Sequence, residues 1–176
     1  DALAFLRARG RAVFGWIVGG PNTWREKYVH EVQGRGLTED DVRLEGVIPF
    51  AAVPDALCSC DVLVYPAPAS SHPYFLRATS PLKLFEDMAA GRPIVCADLP
   101  PLHDVIDDST VRLCLPGDPS GLAGALVWIL DHPQEAKRMA ERAKERVQQY
   151  SWEARMQRIL AALPAQAAHL ALASSR

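Results

Sequence analysis

Several features that define large classes of protein are absent from this sequence of 176 residues. It contains no run of about 20 apolar residues, the length that a membrane-spanning helix needs, and its N-terminus lacks the layout of a signal peptide. Its 19 basic residues are scattered among 21 acidic ones, so we expect no continuous positive surface for nucleic-acid phosphates. These absences predict a soluble, cytoplasmic protein that does not bind nucleic acid.

The sequence has few cysteines, and none of them forms a CxxC pair. Cys58, Cys60, Cys96 and Cys114 lie within apolar runs, a setting that predicts reduced, packed thiols in a cytosolic protein. Zinc binding by Cys58 and Cys60 is the alternative interpretation.

Two patterns of catalytic residues are also missing. The chain has no Asp-x-Asp pair, which argues against a diphosphate bridged by a metal ion, and we predict no metal. No Ser, His and Asp set and no Cys and His pair has a spacing that identifies a nucleophile. Hydrolase chemistry therefore has no support in the sequence.

What the sequence does contain is an alternation of short apolar runs and longer amphipathic segments. This pattern predicts βαβ units, and runs such as VLVY indicate strands that are covered on both faces. We expect an α/β fold with a doubly wound, Rossmann-like parallel sheet. Its five predicted strands are AVFGWIVGG from Ala12, VRLEGV from Val42, DVLVYP from Asp61, PIVCA from Pro93 and TVRLCLP from Thr110.

Helices are predicted between the strands and throughout the C-terminal part of the chain. The first runs from a cap at Asn22 or Thr23 to Gly34 or Gly36, and a short one covers Val53 to Cys58. Two stripes of apolar residues at helical spacing, both predicted to be core, follow the last strand. They consist of Leu122, Ala125, Leu126, Ile129 and Leu130, then Ala136, Met139, Ala140, Ala143 and Val147. A final helix is capped by Ser151 and stops before Pro164.

In an open parallel sheet, ligands bind beyond the carboxyl ends of the strands, where loops and helix N-termini meet. This rule selects one place after each of the first four strands, and the third of them is the longest. The four places are Gly19 and Gly20, Val47 to Pro49, Ala67 to Thr79, and Asp98 to Pro100. We expect the ligand site along this edge.

The helix that follows the longest segment has clear limits in the sequence. Ser80 is predicted to be its N-cap, Pro81 its first residue and Gly91 its stop. Its apolar stripe leaves three charged residues on neighbouring faces, away from the core. The stripe consists of Pro81, Leu84, Phe85 and Met88, and the charged residues are Lys83, Glu86 and Asp87.

The start of this helix has the chemistry of a diphosphate site. Free N–H groups and the positive end of the helix dipole attract a diphosphate, and the Lys83 ammonium adds charge if it curls toward the N-terminus. Glu86 lies roughly 8 Å along the helix axis from this helix start, which is about the distance between a diphosphate and the ribose that carries it. A carboxylate there can bind the ribose hydroxyls. The alternative is an ordinary solvated pair of Lys83 with Glu86 or Asp87.

The segment SPLKLFEDMAAGRPIVCADLP, which starts at Ser80, resembles a segment of family 4 and related glycosyltransferases of the GT-B fold. IVGGP, VRLEGVIPFAAVPDALCSCDVLVYP and YSWEARMQRIL occur in that family's order and spacing, so the resemblance covers about residues 10–163. It implies that residues 1–163 form the C-terminal, donor-binding half of such an enzyme. Residues 164–176 would be a tail, and an N-terminal acceptor domain would lie outside this chain.

The resemblance also implies a role for each part of the site. The implied donor-binding residues are Glu86 for the ribose; Ser80, Pro81, Leu82 and Lys83 for the diphosphate and sugar; Gly19 and Gly20 for close approach to the first strand; and Val47 and Ile48 beside the base. Many relatives have a second glutamate that contacts the sugar eight positions before the ribose-binding one, where this chain has Ala78. The candidates to replace that contact are His72, Arg77, Thr79 and Ser80.

The implied function is retaining, hexosyl-type sugar transfer from a UDP- or GDP-type donor to a glycan, lipid or similar acceptor in polysaccharide biosynthesis. No cofactor is expected, and the missing N-terminal domain would be a partner without which this chain is inactive. A lipid-linked acceptor would bring the full-length enzyme to the inner face of the membrane.

Two alternatives stay open. An NAD-binding Rossmann module shares the strand, glycine turn and helix, although VGGPNT lacks the GxGxxG fingerprint. A non-catalytic assembly module would keep the fold and lose the donor site, a hypothesis that the replacement of the usual glutamate by Ala78 favours.

Overall fold

The computed structural model describes residues 1–73, 75, 77 and 81–163 of the chain. The predictions for Ala78, Thr79, Ser80 and the tail 164–176 lie outside these residues. Within them lie seven α-helices and five strands, which alternate as far as the fourth strand, and the last three helices follow one another after the fifth. The helices are α1 (Ala2–Ala8), α2 (Arg25–Gly34), α3 (Val53–Ser59), α4 (Leu82–Ala89), α5 (Pro119–Asp131), α6 (Pro133–Val147) and α7 (Trp152–Ala162).

All five predicted strands form, and the α/β class is confirmed. They are β1 (Gly15–Val18), β2 (Val42–Glu45), β3 (Leu63–Tyr65), β4 (Ile94–Ala97) and β5 (Arg112–Cys114). The described strands divide into two sheets, β1-β2 and β3-β4-β5, and every pairing is parallel. Parallel pairing brings the carboxyl ends together at one edge of each sheet.

β4 shows how helices cover both faces of the larger sheet. Its residues, Ile94–Ala97, are all buried. Cys96 belongs to a cluster with Leu84 of α4, whereas Val95 belongs to a second cluster with Ile129 of α5. Successive side chains of a strand point to opposite faces, so a strand covered on both sides must be apolar throughout. Burial of each aliphatic side chain contributes about 1.5–3 kcal/mol.

The N-terminal helices differ from the prediction. The apolar pattern does not predict α1, which packs against α5 through Leu6 and Ala123. The predicted cap at Asn22 or Thr23 is wrong, because a 3₁₀ turn over Asn22–Trp24 precedes α2 and Trp24 occupies its N-cap position. The predicted end at Gly34 is confirmed.

The C-terminal helices follow their apolar stripes closely. All five predicted core positions of α6 are buried. On α5, Leu130 is exposed because the adjacent Ile129 takes the core-facing position. Ser151 caps α7 as predicted, since its hydroxyl accepts a hydrogen bond from the Ala154 amide, but α7 has no buried residue. No helix in the described part of the chain is long and apolar enough to cross a membrane.

The four cysteines are free, and their burial differs. Cys96 is buried and Cys60 and Cys114 are partly buried. The prediction of a packed thiol is wrong for Cys58, which is exposed because α3 buries none of its residues. Across the described ranges, no three His, Cys, Asp or Glu side chains are grouped as a metal site requires.

Candidate functional site

The carboxyl edge of the larger sheet carries two of the segments that the strand-end rule selects, those that follow β3 and β4. The loop after β3 is bound to the loop after β5, since the Gly117 amide donates to the Ala67 carbonyl at 2.8 Å. Just past β4, the Asp98 amide donates to the Cys114 carbonyl at 2.8 Å. These bonds bring the ends of three neighbouring strands into one edge, which we call the rim.

The smaller sheet brings the glycine pair and the Val47 segment together. Gly19 and Gly20 have φ angles of 103° and 85°, in a region that residues with a β-carbon rarely adopt. The Gly19 amide donates to the carbonyl of Gly46 at 3.1 Å. Val47, the next residue, is 79% exposed, and Ile48 is partly buried. A small cleft at these strand ends is lined by Ile17, Gly19, Gly20, Tyr28, Leu44 and Gly46.

The helix of the predicted diphosphate site begins one residue later than expected. α4 starts at Leu82, and Pro81 occupies the N-cap position because its ψ of 32° is not helical. Its carbonyl accepts a hydrogen bond from the Phe85 amide at 3.0 Å. The predicted stop is confirmed, since Gly91 has a φ of 67° and its amide donates to the Met88 carbonyl.

α4 buries one more residue than its apolar pattern indicates. Leu84 and Met88 are fully buried and Phe85 is partly buried, as predicted, and Glu86 is exposed. The prediction that Asp87 faces away from the core is wrong, because its side chain is 0% exposed. Positions three and four residues after Leu84 lie on the same face of a helix, so Asp87 shares the core face with Met88.

The Lys83 ammonium points toward the sheet. Its Nζ lies 2.6 Å from Asp87 Oδ2, 3.4 Å from the Val64 carbonyl oxygen and 5.8 Å from the centre of the Tyr65 ring. It is therefore not curled toward the helix N-terminus, because its partner Asp87 lies one turn further along α4. A solvated pair does not describe the arrangement either, since the Lys83 side chain is 54% exposed and its acid is buried.

Asp87 is an acid held in an unfavourable setting. Its Oδ2 accepts the bond from Lys83, whereas Oδ1 has no hydrogen-bond partner among the described residues. Burial raises the pKa of Asp87, and the Lys83 charge opposes this rise without cancelling it. Burial also raises the pKa of Cys96 on β4 to about 12, with smaller contributions from Cys114 and Asp87. The Lys83 charge lowers the pKa of Asp87, and the Glu86 charge raises it more weakly.

Replacing Asp87 with asparagine is expected to raise the free energy of unfolding by about 1–2 kcal/mol near pH 8. The amide removes a buried charge, and the Lys83 that it leaves is exposed enough to be solvated. Because the folded chain has the raised pKa, the wild type gains stability as the pH falls through that pKa toward about 4, the ordinary value. The advantage of the variant should therefore shrink on acidification, which urea unfolding at a series of pH values measures.

Glu141→Gln is a matched control for this prediction. Glu141 is exposed on α6 and stands four residues after its partner, Lys137, at 3.9 Å. Its replacement should change the free energy of unfolding by less than about 0.5 kcal/mol. A stabilisation by Asp87→Asn that grew as the pH fell would contradict the prediction.

The structure locates some of the other predicted residues. His72 and Arg77 are at the surface of the segment between β3 and α4, and the His72 amide donates to the Ser70 hydroxyl at 3.1 Å. Thr79 and Ser80 lie outside the described residues. The contacts of all four with a donor sugar stay predictions.

The structure also contains a pair that the sequence analysis missed. His103 Nε2 lies 2.6 Å from Asp98 Oδ1, just beyond β4. A 3₁₀ turn over Pro100–Leu102 lies between the two residues in the chain and folds it back, so that their side chains meet. The strand-end rule selects Asp98 to Pro100, which stops short of His103. Pro100 and Pro101 were the signal in the sequence for the turn that pairs Asp98 with His103.

Comparison with known proteins identifies the family. The glycosyl transferases group 1 family matches residues 1–132. The chain is 35% identical over 121 residues to a phosphatidyl-myo-inositol mannosyltransferase of Mycobacterium leprae, a match that covers 68% of this chain and 30% of that protein. It is 23% identical over 153 residues to O-antigen chain mannosyltransferase B of Escherichia coli, covering 87% of this chain and 38% of that protein. The chain thus spans about a third of the length of these relatives.

Solved structures share the fold. The match to sucrose-phosphate synthase of Thermosynechococcus elongatus covers 99% of this chain and 42% of the synthase chain, with a TM-score of 0.73 and 25% identity. Anabaena HepE in complex with UDP and glucose matches 84% of this chain and 39% of its own, with a TM-score of 0.65 and 21% identity. These matches confirm the Rossmann-like fold class and the resemblance to GT-B glycosyltransferases. The chain belongs to the glycosyl transferases group 1 family.

Proposed function

We propose that this chain binds a nucleotide-diphosphate sugar and supports transfer of the sugar to a glycan, lipid or similar acceptor. Membership of the family supports this function, and so do the two mannosyltransferases and the UDP and glucose complex among its relatives. These findings do not favour an NAD-binding or non-catalytic module. The observation that carries the proposal is the exposed carboxylate of Glu86 on α4, beside a helix start that follows the end of β3.

The diphosphate would bind at the beginning of α4. The first amides of a helix have no acceptor within it, and together with the dipole they attract anions. Ser80, Pro81, Leu82 and Lys83 would line this pocket, with the Lys83 ammonium approaching from the sheet side. Glu86, roughly 8 Å beyond Pro81 along the axis, would then accept hydrogen bonds from the ribose hydroxyls.

The base would bind at the ends of β1 and β2. Gly19 and Gly20 present backbone without side chains, and Val47 offers an exposed apolar surface beside them. With Ile48, these residues would hold the base through backbone groups and apolar contact. Such contacts suit uridine and guanosine alike, so the donor would be of the UDP or GDP type.

The proposed mechanism is electrostatic. As the glycosidic bond loosens, the start of α4 would stabilise the charge that develops on the leaving diphosphate, with no metal or cofactor required. Glu86 would anchor the ribose and not act as a nucleophile, and transfer would retain the anomeric configuration. The acceptor site would lie in an N-terminal domain of the same enzyme, whose wall would exclude water. This chain alone would therefore transfer little.

Replacing Glu86 with alanine is expected to weaken binding of UDP or GDP by about 10- to 100-fold. A hydrogen bond to a charged group contributes about 1.5–3 kcal/mol, and about 1.4 kcal/mol corresponds to a tenfold change. Isothermal titration calorimetry on the complete protein measures the affinity. Glu86→Gln should fall between wild type and alanine, because an amide oxygen still accepts a hydrogen bond.

Glu141→Ala serves as the control, since it removes an exposed glutamate of α6 that the proposal gives no role. It should bind the nucleotide as the wild type does. Equal affinities for wild type and Glu86→Ala would refute the assignment of the ribose site.

A further inference from the structure

The position of Asp87, a buried acid on α4, is not explained by packing. Asp87 lies between two fully buried apolar residues of the same face, Leu84 and Met88. An apolar side chain would continue this face, and replacing buried charges by apolar groups is often neutral or stabilising. Asp87 therefore holds its charge at a cost to the fold.

The buried Asp87 carboxylate contacts a group at the surface, the Lys83 ammonium. An ammonium has three N–H donors, and two partners on the protein, Asp87 Oδ2 and the Val64 carbonyl, lie within 3.4 Å of Nζ. The Lys83 side chain is nevertheless 54% exposed, whereas its anchor Asp87 is fully buried. The Lys83 ammonium is thus accessible to solvent, and the buried Asp87 carboxylate fixes its position.

We propose that Asp87 is a positioning residue, whose buried carboxylate fixes the Lys83 ammonium between α4 and the end of β3 for contact with the diphosphate of the donor. The idea deepens the proposed function and rests on it. The Tyr65 ring, 5.8 Å from Nζ, and the Val64 carbonyl complete the setting that holds the ammonium.

The physical advantage is preorganisation. A free lysine has several rotatable bonds and loses their freedom when it binds a ligand. Lys83 is already ordered by its anchor, so the ordering cost is met on folding and does not reduce the affinity for the donor. The unsatisfied Oδ1 of Asp87 and its raised pKa are consistent with an acid placed for its charge at the expense of stability.

The test compares Asp87→Asn, Lys83→Met and the double variant in the complete protein. Calorimetry gives the affinities for UDP, GDP and the corresponding nucleosides, which lack phosphate. Asp87→Asn should weaken binding of the diphosphate about tenfold and leave the nucleoside affinity unchanged. Lys83→Met should weaken diphosphate binding at least as much, and adding Asp87→Asn to it should cause no further loss, because the acid acts through the ammonium.

Removal of any acid makes the chain less negative and favours anions in general, so Glu141→Gln is the matched control. Relative to it, an Asp87→Asn variant that bound the diphosphate as well as the wild type, or more tightly, would overturn the proposal. Additive losses in the double variant would overturn it too. Asp87→Leu, which continues the apolar face, is a second variant for the same comparison. A wild type that binds neither diphosphate would refute the proposed function itself, together with this inference.

Discussion

Replacing Leu84 with alanine is expected to lower the free energy of unfolding by about 3–5 kcal/mol. Leu84 is 0% exposed and lies in the cluster that joins α4 to β4 and α6. Truncation removes apolar contacts and leaves a cavity within this cluster, and buried leucines replaced in this way lose about 2–5 kcal/mol. Urea unfolding followed by circular dichroism measures the change.

Leu82→Ala is the matched control for stability. It makes the same truncation two residues earlier on α4, where the side chain is 62% exposed. The expected change in the free energy of unfolding is below about 0.5 kcal/mol. Similar losses for both variants would mean that α4 does not pack through the face described above.

Replacing Gly117 with alanine is expected to lower the free energy of unfolding by about 2–5 kcal/mol and to weaken nucleotide binding. Gly117 has a φ of 69°, and a β-carbon there would lie 2.5 Å from the Ala69 nitrogen. Left-handed backbone costs an L-residue about 1–2 kcal/mol, and overpacking adds about 1–3 kcal/mol. The loop after β3 would have to move, and with it the hydrogen bond from Gly117 to Ala67 that shapes the rim.

Gly10→Ala separates these two contributions. Gly10 has a φ of 71°, but a β-carbon there would meet nothing within 4 Å. We expect this variant to show the backbone cost alone, about 1–2 kcal/mol, with donor affinity unchanged. Equal destabilisation of both variants would show that the contact with Ala69 costs nothing.

The strands and the core helices could be predicted because their signals are local. β4 is covered on both faces, so its sequence is apolar without a break, and α6 repeats its core residues at helical spacing. Both signals come from the period of the backbone itself. The stop of α4 was equally visible, since glycine is the residue that best tolerates the backbone at Gly91.

Asp87 could not be predicted, because the apolar pattern assigns charged residues to the surface by default. Its helical position, three residues after Leu84, indicates the core face, whereas its charge indicates the surface. The sequence alone does not show that Lys83 is near enough to compensate an acid in the interior. The positions of Lys83 relative to Val64 and Tyr65 depend on how α4 packs on β3, which is a tertiary property.

The pairing of Asp98 with His103 was missed for a related reason. The strand-end rule operates on the residues that follow a strand directly, and His103 comes into reach through the turn over Pro100–Leu102. Similarly, α1 is short, and its burial depends on α5, more than 100 positions away in the chain. Such contacts carry no local signature.

The division of the strands into two sheets has a consequence for how the proposed donor would bind. The base would contact the ends of β1 and β2, whereas the diphosphate would contact the helix that follows β3. The nucleotide would then act as a bivalent ligand, with its base on one hydrogen-bonded platform and its ribose and diphosphate on the other. In such an arrangement the docking of the base raises the effective concentration of the diphosphate at its own site, so the nucleoside diphosphate would bind more tightly than the nucleoside.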